Sequence, residues 1–312
     1  MMVRNHSTTN EHLIGVFYGI AAFGLWGLLP VYWKLLQQVS ALEVLAHRIF
    51  WSFIFLSLLL LLKGQWSQIR QTMSSASTRR YLLLSAAIIS ANWFIYIWAI
   101  MSAHIIEASL GYYITPLFNV LLGFVVLRER MTFWQYAAVF LAFVGVLMLT
   151  VRYGQIPWIG LSLAISFSTY GLLKKLVRVD SLTGLSIETL VVSPFCLGVM
   201  GFKHFQGSGA FGNGALSVSL LLIFGGVVTA LPLLWFAQSA KRIPLSQLGF
   251  LQYLSPTISL LLGVFLYHEP FTSAHLLSFG CIWIALAIYT LSQMGALPKL
   301  TPASRGSQRR LK

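Results

Sequence analysis

The sequence predicts an all-α integral membrane protein of ten transmembrane helices, arranged as two inverted five-helix repeats. Three observations predict it. Long apolar stretches follow one another along most of the chain, the cations gather in alternate connections between them, and patterns of the first half recur 140 residues later.

Hydrophobic residues make up 57% of the 312 residues and charged residues only 9%, with a mean hydropathy of +0.79. Soluble domains carry about 45–50% apolar and about 25% charged residues. A soluble fold of this length leaves about a quarter of its unfolded surface exposed, so it has nowhere to put so much apolar area. Lipid removes that problem. The net charge of +14 raises a nucleic-acid reading, because basic stripes are the footprint of phosphate binding. Here the 21 cations form short clusters between apolar runs instead of a stripe, which excludes nucleic acid as a partner. The one dense run, Arg305, Arg309, Arg310 and Lys312, is expected to lie against anionic lipid headgroups. Cys196 and Cys281 fall inside apolar stretches, without the spacing of a metal knuckle or redox pair, and read as packing residues.

A transmembrane helix needs about 20 mostly apolar residues. Taken in order, the predicted spans are 13–34, 44–62, 81–101, 106–127, 132–150, 156–173, 184–202, 216–237, 245–267 and 272–292. The first follows a polar stretch from Met1 to His12, lacks a small-x-small cleavage site and precedes many further spans, so it reads as a retained helix. Trp66, Tyr81, Trp134, Tyr153 and Trp158 mark ends of spans as interfacial aromatics.

Loop charge orients the set, since cytoplasmic connections carry the excess of Lys and Arg. With the N-terminus inside, Arg4 precedes the first span. Lys63, Arg70, Arg79 and Arg80 follow the second, and Arg128 and Arg130 follow the fourth. Lys174, Lys175 and Arg178 follow the sixth, Lys241 and Arg242 the eighth, and Lys299 with the four tail cations the tenth. Seventeen cations therefore lie inside, against Lys34, Arg152 and Lys203 outside, with Arg48 within the second span. Both termini are expected in the cytoplasm.

The recurrence joins the fourth and ninth spans. Thr115-Pro116 matches Ser255-Pro256, Leu121-Leu122-Gly123 matches Leu261-Leu262-Gly263, and Glu129 matches Glu269. More weakly, Trp26-Gly27-Leu28-Leu29 resembles Tyr170-Gly171-Leu172-Leu173, and Glu43 parallels Glu188. Five is odd, so two halves of five spans enter the membrane in opposite senses. The loop charges agree, because Arg128-Glu129-Arg130 corresponds to His268-Glu269-Pro270 with both arginines gone. Inverted repeats characterise secondary transporters, whose substrate site lies near the midplane between the repeats.

The stretch Leu25-Trp26-Gly27-Leu28-Leu29-Pro30-Val31-Tyr32-Trp33-Lys34, with Glu43, His47-Arg48 and Trp51-Ser52, resembles the RarD branch of the drug/metabolite transporter superfamily. So do Asn92-Trp93 with Ile97-Trp98-Ala99, Glu107 to Tyr112 with Pro116-Leu117, Leu248-Gly249-Phe250 with Gln252-Tyr253 and Pro256-Thr257, and Trp283 to Ile288. The resemblance covers roughly 13 to 292. It implies two EamA-like repeats, 13–150 and 156–292, between cytoplasmic tails 1–12 and 293–312. It further implies residence in a bacterial inner membrane and a permease, in a family also labelled chloramphenicol-sensitive protein. It carries no substrate.

Ionisable groups in hydrocarbon cost roughly 2.5–3.5 kcal/mol and usually face the bundle interior. Arg48 either snorkels to the interface or holds a substrate carboxylate, with Glu43 or Glu107 as its resting partner. His47 either carries a coupling proton, its ordinary pKa being about 6.5, or packs as a neutral ring. Asn92, Trp93 and Tyr96 share a face of the third span and read either as helix-helix packing or as part of an apolar pocket with few polar groups. Tyr112, Tyr113 and Asn119 on the fourth span, with Gln252 and Tyr253 on the ninth, flank Pro116 and Pro256, which are candidate hinges. Trp26 and Tyr170 read as packing groups. Glu43, Glu107 and Glu188 are the candidate coupling or gating acids, Glu188 the most isolated of them. Glu129 and Glu269 read as structural loop acids.

These features favour a secondary or facilitated carrier of small metabolites or drugs, exporting by analogy with the family. A membrane enzyme lacks support: there is no Walker loop, no His-Glu-x-x-His pair, no Ser-Lys or Ser-His arrangement and no paired carboxylates at one depth. A sensor or scaffold lacks a soluble domain, the longest predicted loop being 63–80. No catalytic residue, metal or cofactor is expected. The partners are a small-molecule substrate and membrane lipid, with a monomer expected and an oligomer left open.

Overall fold

The computed structural model describes residues 3–102, 104–213, 215–267 and 273–298. Within them every regular element is helical: α1 (Val3–Lys34), α2 (Ala41–Leu62), α3 (Ser67–Ser74), α4 (Ala76–Met101), α5 (Ile105–Val125), α6 (Phe133–Tyr153), α7 (Trp158–Leu176), α8 (Ser181–Phe205), α9 (Leu216–Arg242), α10 (Leu245–Gln252), α11 (Leu254–Leu261) and α12 (Ser273–Gln293). Eight stretches among the described residues are long and apolar enough to cross a membrane. They belong to α1, α2, α5, α6, α8, α9, the α10–α11 segment and α12. α4 and α7 are not among the eight. In α7 the apolar run is interrupted by Ser162, Ser166, Ser168 and Thr169 and ends on Lys174 and Lys175.

The apolar surface makes this a multi-pass membrane protein. Phe17, Phe140 and Phe195 are 69%, 68% and 71% exposed, and soluble monomers rarely expose apolar patches on that scale.

Local chemistry sets the element ends. Thr132 and Gln135 form a reciprocal capping box at the start of α6, and left-handed Gly154 ends it. Asp180 accepts hydrogen bonds from the amides of Leu182 and Thr183 at the start of α8. Two expectations are corrected. The 63–80 connection is not a plain loop but carries α3 and the first turn of α4. The ninth predicted span, 245–267, is broken: α10 stops at Gln252, α11 starts at Leu254, and Leu262–Leu266 forms a π-helical turn. Pro256 gives the reason, since its missing N–H leaves the Gln252 carbonyl without a donor four residues on. Its counterpart Pro116 sits inside the unbroken α5. Glu269 and the tail cations lie outside the described residues.

The helix packings fall into an ordered set. α2 packs on α8, α6 on α12, and α5 on α10. α1 packs on α9 and on α11, α7 on α4 and on α5, α2 on α9, and α4 on α8. In lipid no hydrophobic force pulls helices together, so small residues that let backbones approach become decisive. At Gly226 a Cβ would lie 2.3 Å from the carbonyl carbon of Trp51, so α2 and α9 meet there backbone to backbone. Gly226→Ala is expected to lower stability by about 1–3 kcal/mol through overpacking. Gly24, with nothing within 4 Å, is the control: Gly24→Ala should leave stability unchanged or raise it by up to about 1 kcal/mol. Thermal unfolding of the two variants in detergent checks this.

Candidate functional site

Arg48 lies on α2 where apolar clusters from several helices meet. Its guanidinium carbon is 5.1 Å from the Trp33 ring centroid and 5.7 Å from that of Trp93. Trp33 packs with the cluster around Leu36 and Leu222, and Trp93 with the one around Ala46 and Cys196. The charge neighbours of Arg48 are the hydroxyls of Tyr96 and Tyr112, whose rings meet edge to face at 6.0 Å. Its Nε is buried and has no hydrogen-bond partner. Trp93, Tyr96 and Tyr112, three of the expected binding residues, are thus brought together with Arg48.

The expected resting partner Glu43 is engaged elsewhere, its Oε1 accepting from the Ala210 amide at 2.7 Å. Glu107 Oε1 accepts from the Ile159 amide at 2.8 Å. Each carboxylate ties its helix to a neighbouring segment: the Ile159 amide is in the first turn of α7, where N–H groups lack intrahelical acceptors, and the Ala210 amide is in the α8–α9 connection. His47 is 2% exposed. Its Nδ1 accepts from the Trp51 indole at 3.2 Å and its ring lies 4.9 Å from Phe211. Glu43 and His47 line a cavity of about 320 Å³ with Met200, His204 and Phe205.

Asn92 Nδ2 donates to the Leu163 carbonyl at 3.0 Å and to Ser166 Oγ at 2.8 Å, so it joins α4 to α7 and only its Oδ1 remains for a ligand. Asn119 and Gln252 meet, Asn119 Nδ2 donating to Gln252 Oε1 at 2.7 Å. The Asn119 Oδ1 and the Tyr253 hydroxyl are buried without partners. Tyr113 packs edge to face on Phe279 at 5.3 Å. The expected residues therefore divide among an aromatic group at Arg48, the α4–α7 contact of Asn92, the Asn119–Gln252 seam between α5 and α10, and the packing of Tyr113 on α12.

A family model described as the EamA-like transporter family matches residues 13–151 and again 156–291. The chain belongs to the EamA-like transporter family. An uncharacterized transporter, YojE, of Bacillus subtilis is 48% identical over 93% of this chain and 96% of its own length. Protein RarD of Streptomyces exfoliatus is 42% identical over 90% and 89%, and protein RarD of Escherichia coli 40% over 89% and 94%. These relatives place it with the RarD-type drug/metabolite transporters, as the motifs around Trp26, Asn92 and Glu107 implied. A crystal structure superposes with a TM-score of 0.71 at 21% identity, covering 90% of this chain and 98% of that one, which speaks to the fold alone.

Other groups in this EamA-like transporter are ones that sequence reasoning misplaced. Glu188 is not isolated. It accepts from Lys174 Nζ at 2.7 Å, Ser85 Oγ at 2.7 Å and the Tyr170 hydroxyl at 3.1 Å. Lys174, expected in a cytoplasmic loop, lies in the last turn of α7 and is 5% exposed. Tyr170 packs, as expected, but also bonds this acid. A lysine at a span end reads as a snorkelling loop cation; only a partner fourteen residues away on the next helix reveals otherwise. Trp33 was likewise passed over as a binding residue, its signal being an indole in the last turn of a span. Glu129 does have the structural role expected of it. Its carboxylate accepts from the Leu245 amide at 2.6 Å, the Ser246 amide at 3.0 Å and Ser246 Oγ at 2.7 Å.

Proposed function

We propose that this membrane transporter is a secondary or facilitated carrier that exports small metabolites or drugs by alternating access between two inverted five-helix repeats, 13–150 and 156–292. Ten spans then cross a bacterial inner membrane with both termini in the cytoplasm, and α4 and α7 complete the eight apolar stretches. The observation that carries the reading is the pattern of helix packings. Let α1, α2, α4, α5 and α6 correspond to α7, α8, α9, the α10–α11 segment and α12. Each of the packings named above is then its own counterpart, as α2 on α8, or has one, as α1 on α9 and α7 on α4. Exchange-related packings are what a two-fold between inverted repeats requires.

Unequal cavities support alternation. The equivalent acids Glu43 and Glu188 each border a cavity, about 320 Å³ at Glu43 and about 10 Å³ at Glu188. In this reading the Lys174–Glu188 pair would close the narrower end. In this reading Arg48, Asn92, Trp93, Tyr96, Tyr112, Tyr113, Asn119, Gln252 and Tyr253 line the substrate path, His47, Glu43, Glu107 and Glu188 serve coupling or gating, and Pro116 and Pro256 act as hinges.

Purified protein in liposomes is expected to move at least one labelled solute from a panel of organic acids, amino acids, nucleosides and drugs, saturably and above protein-free vesicles. A panel with neither flux nor specific binding would remove the main support for this function.

A further inference from the structure

We infer that the solutes this protein carries are aromatic monocarboxylates, and that Arg48 takes their carboxylate inside the cage of Trp33, Trp93, Tyr96 and Tyr112. The inference rests on the carrier reading and names its substrate class.

Among the described residues Arg48 has no counterion. A cation is retained in apolar surroundings when an anion or well-placed acceptors compensate it. Arg48 Nε is buried with no hydrogen-bond partner. Its charge neighbours are two neutral phenols, and the ion pairs found among the described residues, Lys174–Glu188 and Arg242–Glu11, lie elsewhere. The nearby acid Glu43 is committed to the Ala210 amide.

The guanidinium carbon lies over the indoles of Trp33 and Trp93, at 5.1 and 5.7 Å from their centroids. Such cation–π contacts fix a guanidinium without neutralising it. They leave its edge of N–H donors for an acceptor, and that planar fork fits a carboxylate bidentately, as a lysine does not. One cation calls for one negative charge. The remaining walls are rings, with Tyr96 and Tyr112 edge to face at 6.0 Å, and rings prefer a flat apolar body.

The test titrates the purified full chain in detergent, following tryptophan fluorescence, with phenylacetate, phenylacetamide and phenethylamine. Phenylacetate is expected to quench saturably, the neutral amide and the cationic amine binding at least tenfold more weakly. Arg48→Gln is expected to raise the Kd for phenylacetate at least tenfold, since tenfold corresponds to about 1.4 kcal/mol, and to shrink the preference for the acid over the amide. Equal binding of acid and amide, or an unchanged Kd in Arg48→Gln, overturns the inference. If that variant does not elute as a single species, the acid-against-amide comparison on the unaltered protein decides. Flux of a cationic or neutral solute in liposomes, with no binding of the acid, overturns this inference and leaves the carrier standing. Arg48-dependent acid binding without flux of any solute overturns the carrier and keeps the site.

Discussion

Replacing Lys174 with methionine is expected to destabilise the protein by about 3–5 kcal/mol, because removing one partner of a buried ion pair leaves the other charge uncompensated. Glu188 would keep Ser85 and Tyr170 as donors, at 2.7 and 3.1 Å, which holds the loss toward the lower end. Glu188→Leu alone leaves Lys174 charged, 5% exposed and without its ion-pair partner, and should cost as much or more. The double variant Lys174→Met with Glu188→Leu should recover most of the loss, since apolar replacement of a whole buried pair is often neutral or stabilising. Thermal midpoints in detergent for the four proteins form a double-mutant cycle. A single-variant loss under about 0.5 kcal/mol would match an exposed ion pair and contradict the buried one.

Glu129→Ala is expected to cost about 2–4 kcal/mol. Three hydrogen bonds end on this carboxylate, two of them from the first amides of α10. Those amides have no intrahelical acceptor, and Pro244 at the cap supplies no side-chain bond. A negative charge also favours the positive end of a helix dipole. Each charge-assisted bond contributes about 1.5–3 kcal/mol, with water recovering part once the side chain is gone. Glu129→Gln keeps one acceptor oxygen and should lose about half as much. Hydrogen exchange in α10 should rise in Glu129→Ala and stay unchanged in α6; equal protection of α10 in variant and parent would contradict the capping role.

Much of the fold was legible because its signals are local. Apolar length, the interfacial aromatics and clusters such as Lys63 to Arg80 set where segments begin and end, and Pro256 marked the place where the ninth segment breaks. The repeat was legible because Pro116 and Pro256 sit in like surroundings of leucine and glycine. What escaped depends on neighbours in space. Lys174 looks like any lysine at a span end until Glu188, itself held by Ser85 of a third helix, closes on it. Glu43 and Glu107 looked like counterions for Arg48, but backbone amides at Ala210 and Ile159 claim them first. The Arg48 site was legible in part: Trp93, Tyr96 and Tyr112 were among the expected binding residues, whereas Trp33 arrives from a helix whose rotation no single segment specifies.

Counterflow in proteoliposomes tests the central claim, that this protein is a carrier alternating between two repeats, most directly. Vesicles preloaded with an unlabelled transported solute are diluted into a trace of the labelled form. The account predicts transient accumulation of label above its equilibrium level, because one exchanging site couples exit to entry. Label that only equilibrates, at a rate indifferent to the internal load, would contradict it.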